Sequence, residues 1–408
     1  MNWRPYLLLI GILLLGARPA AAFPDISAGQ GTYDDPGITD TEITIGLFAP
    51  MSGPSGDGGT AAITLAKAWY DMVNQQGGIW GRKIRLVIED DRCNANDLLG
   101  AVKKLVEQDK VFLLNGGFCS AALVGAQDYI VRNKVPLVVL QASADGMLFP
   151  PNDYVFGAFG LSQHSMGGSA IDFAQKFLKA KRIAYVRHDD NYGGWNLEAA
   201  SWMMKQAGQE FADVESINPL IVDVSAPVLK IRAAQPDAVV LAVYAQPATL
   251  LIKRMYELGV KAPIIICASA VIDTDRMVEN VGSKDAFANA YIQDVINDLP
   301  GGPKQKWVRD LYARAAPGKK PIASMPYAIG SMQAVTYALL LAGPNPTREA
   351  VLRSLATLHF ETGIMAGPIE FNANKRSAQE AAIFEKFDGT SLVRVPGSYA
   401  SGWTYGAK

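Results

Sequence analysis

The chain has 408 residues, of which 49% are hydrophobic and 19% are charged, and its 38 Lys and Arg residues nearly balance its 39 Asp and Glu residues. Because one hydrophobic core rarely grows beyond about 250–300 residues, this length predicts two domains. The balanced charge, without a basic cluster, argues against a nucleic-acid partner and against binding to a membrane surface.

The first 22 residues have the pattern of a secretory signal peptide. Arg4 gives a short basic start, an apolar run extends from Tyr6 to Ala17, and residues 20–22 are the small residues that precede a cleavage site. We therefore predict cleavage before Phe23 and a periplasmic location for the mature chain. A membrane span needs about 20 apolar residues, so an uncleaved anchor is the weaker alternative.

Short β-branched runs alternate with helical patterns in the first part of the mature chain. Strands are predicted at residues 43–49, 83–89, 111–115 and 136–140, and helices at residues 60–75, 98–108 and 123–132. Repeated strand–helix units of this kind predict a parallel sheet with helices on both faces.

The same alternation starts again after about residue 165. Helices are predicted at residues 166–178, 196–207, 226–234 and 247–258, and strands at residues 182–187, 237–243 and 263–268. Three helices (304–315, 327–342 and 348–356) and two strand-like pieces (367–371 and 382–387) follow. The predicted fold class is α/β, with two doubly wound parallel-sheet lobes. Folds of this kind bind small ligands in the cleft outside the carboxyl ends of their strands.

The chain has three cysteines, Cys93, Cys119 and Cys267. Export makes a disulfide possible, and the odd number leaves one thiol over. Cys93 and Cys119 each follow a predicted strand and are close in sequence. We predict that these two are bonded and that Cys267 is free; three buried reduced thiols are the alternative.

The common catalytic motifs are missing from the sequence. It has neither a G-x-S-x-G elbow nor a G-x-x-x-x-G-K-[ST] phosphate loop. The three histidines, His164, His188 and His359, are far apart, and none is part of a metal-ligand pattern. We therefore predict surface or core roles for them, and we predict no enzyme activity, no cofactor and no metal.

Residues 56–61 (GDGGTA) match the G-x-G-x-x-[GA] pattern of nicotinamide-cofactor sites between a strand and a helix. The six residues from Pro50 to Ser55 make the preceding loop too long for such a site. We favour a loop whose backbone amides and hydroxyls, those of Ser52 and Ser55, face the cleft at a helix N-terminus. That geometry favours anions such as carboxylates.

Five stretches of the sequence resemble the leucine/isoleucine/valine-binding type of periplasmic binding protein, which has the type I fold. They are residues 45–53 (IGLFAPMSG), 77–84 (GGIWGRKI), 90–93 (DDRC), 117–120 (GFCS) and 191–193 (NYG). The resemblance covers nearly the whole mature chain in the same order. It implies a solute-binding protein that captures a small molecule for the membrane permease of an ABC importer, and we expect it to be a monomer.

The resemblance also implies two discontinuous lobes joined by three crossover segments that act as hinges. The first lobe is predicted to comprise residues 38–158 and 293–364, and the second residues 159–292 and 365–408. The crossings are predicted near residues 156–161, 290–294 and 363–368. Ligand contacts with both lobes then favour a closed form.

Site residues follow from the resemblance one at a time. Ser120 is expected to hold a ligand carboxylate, with hydroxyl and amide groups added at Ala142, Ser143 and Ala144. Tyr192 and Tyr244 are expected to line the pocket from the second lobe, although ordinary packing is an alternative for both tyrosines.

Where amino-acid-binding relatives keep an acid for the ammonium group, this chain has Ser269, and the first acid after it is Asp273. A buried ammonium without a carboxylate partner is costly. We therefore predict a small carboxylate ligand without an obligatory amino group, an aromatic acid first. The alternatives are a branched-chain or other amino acid, a ligand-sensing module of the same fold, and an enzyme without a recognisable motif.

Overall fold

The computed structural model describes residues 34–53, 55–143, 145–268, 274–298, 302–321, 325–372, 375–387 and 391–405. The predicted signal peptide lies outside these residues, as do Ser269 and Asp273. Over these ranges, no helix combines the length and the apolar character that a membrane crossing requires.

Nine of the described strands lie at positions predicted from the hydrophobic runs; the strands at Val155–Leu161 and Ala290–Asp294 were predicted only as crossing segments, and the others were not predicted. In chain order the strands are β1 (Glu42–Ala49), β2 (Lys83–Asp90), β3 (Leu113–Gly116), β4 (Leu137–Val139), β5 (Val155–Leu161), β6 (Ile183–His188), β7 (Asp213–Ile217), β8 (Ala238–Ala242), β9 (Ile264–Ile266), β10 (Ala290–Asp294), β11 (His359–Phe360), β12 (Ile369–Glu370), β13 (Ser377–Gln379), β14 (Ala381–Phe387), β15 (Leu392–Arg394) and β16 (Tyr399–Ala400).

The helices connect and cover these strands. In chain order they are α1 (Gly56–Gln75), α2 (Ala95–Lys103), α3 (Ser120–Val124), α4 (Gln127–Arg132), α5 (Asp145–Leu148), α6 (Gln163–Lys176), α7 (Asn191–Gln206), α8 (Ser225–Ala234), α9 (Ala245–Glu257), α10 (Thr274–Val281), α11 (Pro303–Ala315), α12 (Ile329–Leu341) and α13 (Arg348–Ala356). The single helix predicted at residues 123–132 is instead two short helices, α3 and α4.

The first lobe is built on a parallel sheet with strand order β13-β5-β4-β3-β1-β2. Strand β1 lies inside this sheet, and every residue from Ile43 to Ala49 is buried. Such continuous burial is expected where helices cover both faces of a parallel sheet, which is why the strand reads as an unbroken apolar run.

The second lobe has a sheet with strand order β15-β14-β10-β9-β8-β6-β7, and β16 also pairs with β14. The strands from β10 to β7 are parallel, whereas β14 is antiparallel to β10 and β15. The predicted parallel lobe therefore carries an antiparallel edge. The edge strand β7 (DVESI) is missing from the sequence prediction because only two of its five residues are buried.

Within the described residues, three chain passages join the lobes. The first is at Ser162, between β5 and α6, and the second follows β10. The sequence places the third crossing at residues 363–368, but β13 still belongs to the first sheet, so the chain passes to β14 of the second sheet at Glu380. Residues 364–366 instead pair with the second passage, where the Ala366 amide donates to the Val295 carbonyl at 2.7 Å. The residue bounds of the two lobes stay a prediction.

Candidate ligand-binding site

Two loops of the first lobe meet at the carboxyl ends of β3 and β4. The amides of Gln141 and Ala142 both donate to the carbonyl of Gly117, at 3.0 and 3.1 Å. Ser120 begins α3 in one loop, and Ser143 follows β4 in the other; they are 4% and 6% exposed. The structure therefore brings Ser120, Ala142 and Ser143 together on adjacent, buried loops.

A disulfide fixes the first of these loops. Cys93 and Cys119 are bonded, with their Cα atoms 5.4 Å apart, which confirms the predicted pairing. Cys267 is free and buried, as predicted, and burial raises the pKa of its thiol to about 12. Because Cys119 directly precedes Ser120, the disulfide holds the start of α3 against the loop that follows β2.

The loop after β1 is hydrogen-bonded to Asp90, the last residue of β2. The Ser52 hydroxyl donates to Asp90 Oδ2 at 2.7 Å, and the Met51 amide donates to Asp90 Oδ1 at 2.8 Å. Partial burial acts to raise the pKa of Asp90, but these hydrogen bonds outweigh it and lower the pKa. Ser52 is exposed, whereas Ser55 is half-buried with its hydroxyl 3.9 Å from Cys93 Sγ. Ser55 is thus the member of this loop that lies beside the disulfide.

The second lobe presents an aromatic cluster at the carboxyl ends of β6 and β8. Tyr192 lies in the first turn of α7, and Tyr244 directly precedes α9. Their ring centroids are 4.8 Å apart, and the ring of His188 lies 4.5 Å from that of Tyr244, edge to face. Tyr192 is buried, with its hydroxyl 3.5 Å from Met166 Sδ, whereas Tyr244 is half-buried. Of the two predicted tyrosines, Tyr244 is therefore the more accessible.

His188 is a part of this cluster that the sequence prediction left out. It ends β6, is fully buried, and its Nε2 accepts a hydrogen bond from the Tyr244 amide at 3.1 Å. The ring proton must then be on Nδ1, which is 3.8 Å from Asp190 Oδ2. Burial lowers the pKa of His188 to about 4 against the opposing charges of Asp190 and Asp189. A neutral His188 therefore fixes the backbone from which Tyr244 projects.

Asp190 is a second residue that the prediction missed. It caps α7, because its Oδ1 accepts a hydrogen bond from the Gly193 amide at 3.0 Å. Burial raises the pKa of the Tyr244 hydroxyl, and the charge of Asp190 raises it further, so the carboxylate is close enough to influence the aromatic pair. Its position three residues after the predicted strand at 182–187 was the available signal in the sequence.

One helix from each lobe connects these two groups of residues. Helix α3, which begins at Ser120, packs against α7, which carries Tyr192. Ser269 and Ala144 lie outside the described residues. In the described part of the chain, no group of three or more His, Cys, Asp or Glu side chains is arranged to hold a metal ion. The structure thus places small polar groups at the strand ends of the first lobe and aromatic rings at the strand ends of the second.

Comparison with known proteins gives one family. A family model described as periplasmic binding protein matches residues 42–390. An amino acid binding protein from Pseudomonas aeruginosa is 25% identical over 318 residues, which cover 76% of this chain and 81% of that protein. A Leu/Ile/Val-binding protein homolog from Brucella melitensis is 24% identical, with 67% of this chain and 76% of that protein covered.

Solved structures show the same fold. A branched-chain amino acid transporter substrate binding protein from Streptococcus pneumoniae, in complex with isoleucine, superimposes with a TM-score of 0.72 at 20% identity, covering 87% of this chain and 100% of that one. A solute binding protein of an ABC transporter from R. palustris, in complex with 4-hydroxybenzoate, gives a TM-score of 0.75 at 16% identity, covering 90% and 99%. At these identities, the likeness is one of fold.

Proposed function

The chain belongs to the periplasmic binding protein family, and from that premise we propose that it captures a small carboxylate-bearing ligand, an aromatic acid first, between its two lobes. The observation that carries this proposal is the opposition of two unlike surfaces across the contact of α3 with α7. Buried serines lie on one side of that contact and a tyrosine pair on the other.

The polar surface of the first lobe is suited to a carboxylate. Ser120 and Ser143 are buried, so a ligand oxygen that reaches their hydroxyls is shielded from competing water. Hydrogen bonds to an ionised group are stronger than those between neutral groups. The disulfide and the backbone bonds to Gly117 hold these groups in place before the ligand arrives, which reduces the entropy lost on binding.

The aromatic surface of the second lobe is suited to a flat apolar body. Tyr192 and Tyr244 lie at 42° to each other, and Tyr244 keeps part of its surface accessible. A ring placed against such a pair gains edge or offset-stacking contacts beyond the burial of its area. Both ligands named in the similar solved structures, isoleucine and 4-hydroxybenzoate, carry a carboxyl group.

An amino acid is the second candidate, and Asp190 is the observation that favours it. Its carboxylate lies near Tyr244 and His188, so it offers a partner for an ammonium group where Ser269 offers none. Asp190→Asn separates the two candidates cleanly. Asn is as good an N-cap as Asp, so α7 keeps its cap while the charge is lost.

Isothermal titration of the mature protein with benzoate, 4-hydroxybenzoate, leucine, isoleucine and valine tests the proposal. We expect binding of at least one benzoate-type acid, with an affinity that Asp190→Asn leaves nearly unchanged. Tight amino-acid binding that Asp190→Asn abolishes, with no heat from any deaminated acid, contradicts the aromatic-acid proposal and supports the second candidate.

We further propose that the mature protein works in the periplasm as a monomer, delivers its ligand to an ABC permease and catalyses no reaction on it. Recovery of unaltered ligand from the denatured complex tests the last point by mass spectrometry. A change in ligand mass after incubation contradicts it.

A further inference from the structure

Helix α5 of the first lobe is hydrogen-bonded directly to the start of α6 in the second lobe. Asp145 Oδ1 and Oδ2 accept hydrogen bonds from the amides of Gln163 and His164 at 2.9 and 2.7 Å. In return, the Asp145 amide donates to Gln163 Oε1 at 2.7 Å. All three side chains are buried, so these bonds between the lobes are shielded from solvent.

His164 adds contacts with two carboxylates to these hydrogen bonds. Its Nδ1 is 2.5 Å from Asp145 Oδ2, and its Nε2 is 3.2 Å from Glu198 Oε2 on α7. Both ring nitrogens carry protons only in the imidazolium form, so only that form donates to both carboxylates. Burial acts to lower the pKa of His164, but the hydrogen bonds and charges of Asp145 and Glu198 outweigh it and raise the pKa.

The C-terminal segment covers the imidazole. Trp403 stacks on His164 with ring centroids 3.6 Å apart and planes within 3°, an arrangement that favours a cation over the indole face. The ring of Phe149, which follows α5, meets Trp403 edge to face and stacks with Tyr405. The segment comes from β16 of the second sheet, so its aromatic rings bridge to the first lobe.

A third contact between the lobes involves Trp195, which lies on the same helix as Glu198. Trp195, one turn before Glu198 on α7, lies against α5 and Val124. A Cβ atom placed on Gly146 would be 2.5 Å from the indole carbons, so the ring fits only because residue 146 is glycine. His164 and Trp195 of the second lobe thus contact two adjacent residues of α5, Asp145 and Gly146, and Glu198 contacts His164.

We propose that α5 is a latch between the lobes, and that protonation of His164 strengthens its hold on the second lobe in the closed arrangement. The proposal rests on the two-lobed binding function above and adds to it a regulation of closure by pH. Asp145 from α5 and Glu198 from α7 are the charged groups that face His164 in the described structure.

The sign of the pH effect follows from the raised pKa of His164. The latch is at full strength below about pH 6.5, the ordinary histidine pKa, and is lost as the pH rises through the higher value of the closed form. Each pKa unit by which closure raises the pKa of His164 changes the closed-to-open ratio about tenfold. A ligand held at mildly acidic pH is released more readily as the pH rises.

Small-angle scattering of the ligand-free protein between about pH 5.5 and about pH 8.5, a range that brackets the histidine pKa, tests the latch. We expect the radius of gyration of the wild type to increase with pH. His164→Gln should abolish that increase, and Glu198→Gln, at a side chain that is 57% exposed, should move its midpoint to lower pH. The imidazole NMR signals report the pKa of His164 directly, since His164→Gln identifies its signal among three histidines.

Gly146→Ala tests the contact between the lobes without changing any charge. It should displace Trp195 and enlarge the radius at every pH, whereas Gly194→Ala on α7, where a Cβ meets nothing within 4 Å, should match the wild type. A wild-type radius independent of pH, or an increase that survives in His164→Gln, overturns the proposal. The experiment uses the ligand-free protein, so either result overturns the latch and has no bearing on the proposed ligand class.

Discussion

The two lobes carry different side chains at the carboxyl ends of their parallel strands. In the first lobe, buried serines lie on loops tied by a disulfide and by backbone hydrogen bonds. In the second lobe, Tyr192 and Tyr244 form an aromatic surface backed by a neutral histidine. The difference suggests a division of labour in which the first lobe fixes the charged end of a ligand and the second lobe selects its body.

The largest expected effect is on the fixed loops of the first lobe. Replacing both Cys93 and Cys119 by alanine should reduce the free energy of unfolding by about 3 kcal/mol, because the disulfide closes a loop of intermediate length. Urea denaturation with and without the two substitutions measures it. Cys267→Ala is the control for loss of a buried sulfur, and an equal effect of the two changes contradicts the structural role of the disulfide.

The next effect concerns the carboxylate contact. Ser120→Ala should weaken ligand binding by about 1–3 kcal/mol, because it removes a hydrogen bond to a charged group. Ser354→Ala is the matched control, since that hydroxyl donates to the Ala350 carbonyl within α13 and is not among the predicted site residues. Calorimetric titration with 4-hydroxybenzoate compares them, and equal affinities for the two variants contradict the assignment of the carboxylate to Ser120.

On the other side of the cleft, Tyr244→Leu should reduce the preference for an aromatic over an aliphatic acid by about 0.5–1.5 kcal/mol, the contribution of an aromatic pair beyond area burial. Tyr256→Leu, at an exposed tyrosine of the same helix, controls for the loss of a phenol elsewhere. Titrations with benzoate and with a short aliphatic acid give the ratio. An unchanged ratio in Tyr244→Leu indicates that the second lobe does not select the ligand body.

The smallest effect is a pH dependence of stability from His188. Its pKa is about 4 in the folded protein, so its stabilising contribution is complete above the unfolded value near 6.5 and declines as the pH falls toward 4. From about pH 7 to about pH 6, the folded protein should lose roughly 0.7 kcal/mol through this residue. His188→Gln should reduce that loss. Identical pH profiles for the wild type and His188→Gln contradict the buried, neutral state of His188.

The two lobes also differ in how far the sequence predicts them. Hydrophobic periodicity predicts most helices and central strands such as β1 and β8, which are buried along nearly their whole length. The central strands β5 and β10 were predicted only as crossing segments, although β10 is equally buried. Periodicity misses β7, where only two of five residues are buried, and does not indicate that β14 runs antiparallel. Edge strands carry a weaker apolar signal because one side of each meets solvent.

The residues of the candidate site also differ in how far the sequence predicts them. The disulfide was predictable because both cysteines follow strands. The carboxylate contact of Ser120, which follows Cys119, is expected from the family resemblance and stays a prediction. The bond from the Tyr244 amide to His188 joins residues 56 positions apart, and no local pattern marks such a contact. The contact of His164 with Asp145 is equally hidden, because it depends on how the lobes lie against each other.

Closure of the two lobes around an acid is the central claim, and scattering with and without a saturating acid tests it most directly. We predict that a benzoate-type acid that binds in calorimetry reduces the radius of gyration when it is added at a saturating concentration and constant pH, because both lobes contact the bound ligand. A radius that stays the same at full saturation, or the absence of binding by every benzoate-type acid, would contradict this claim.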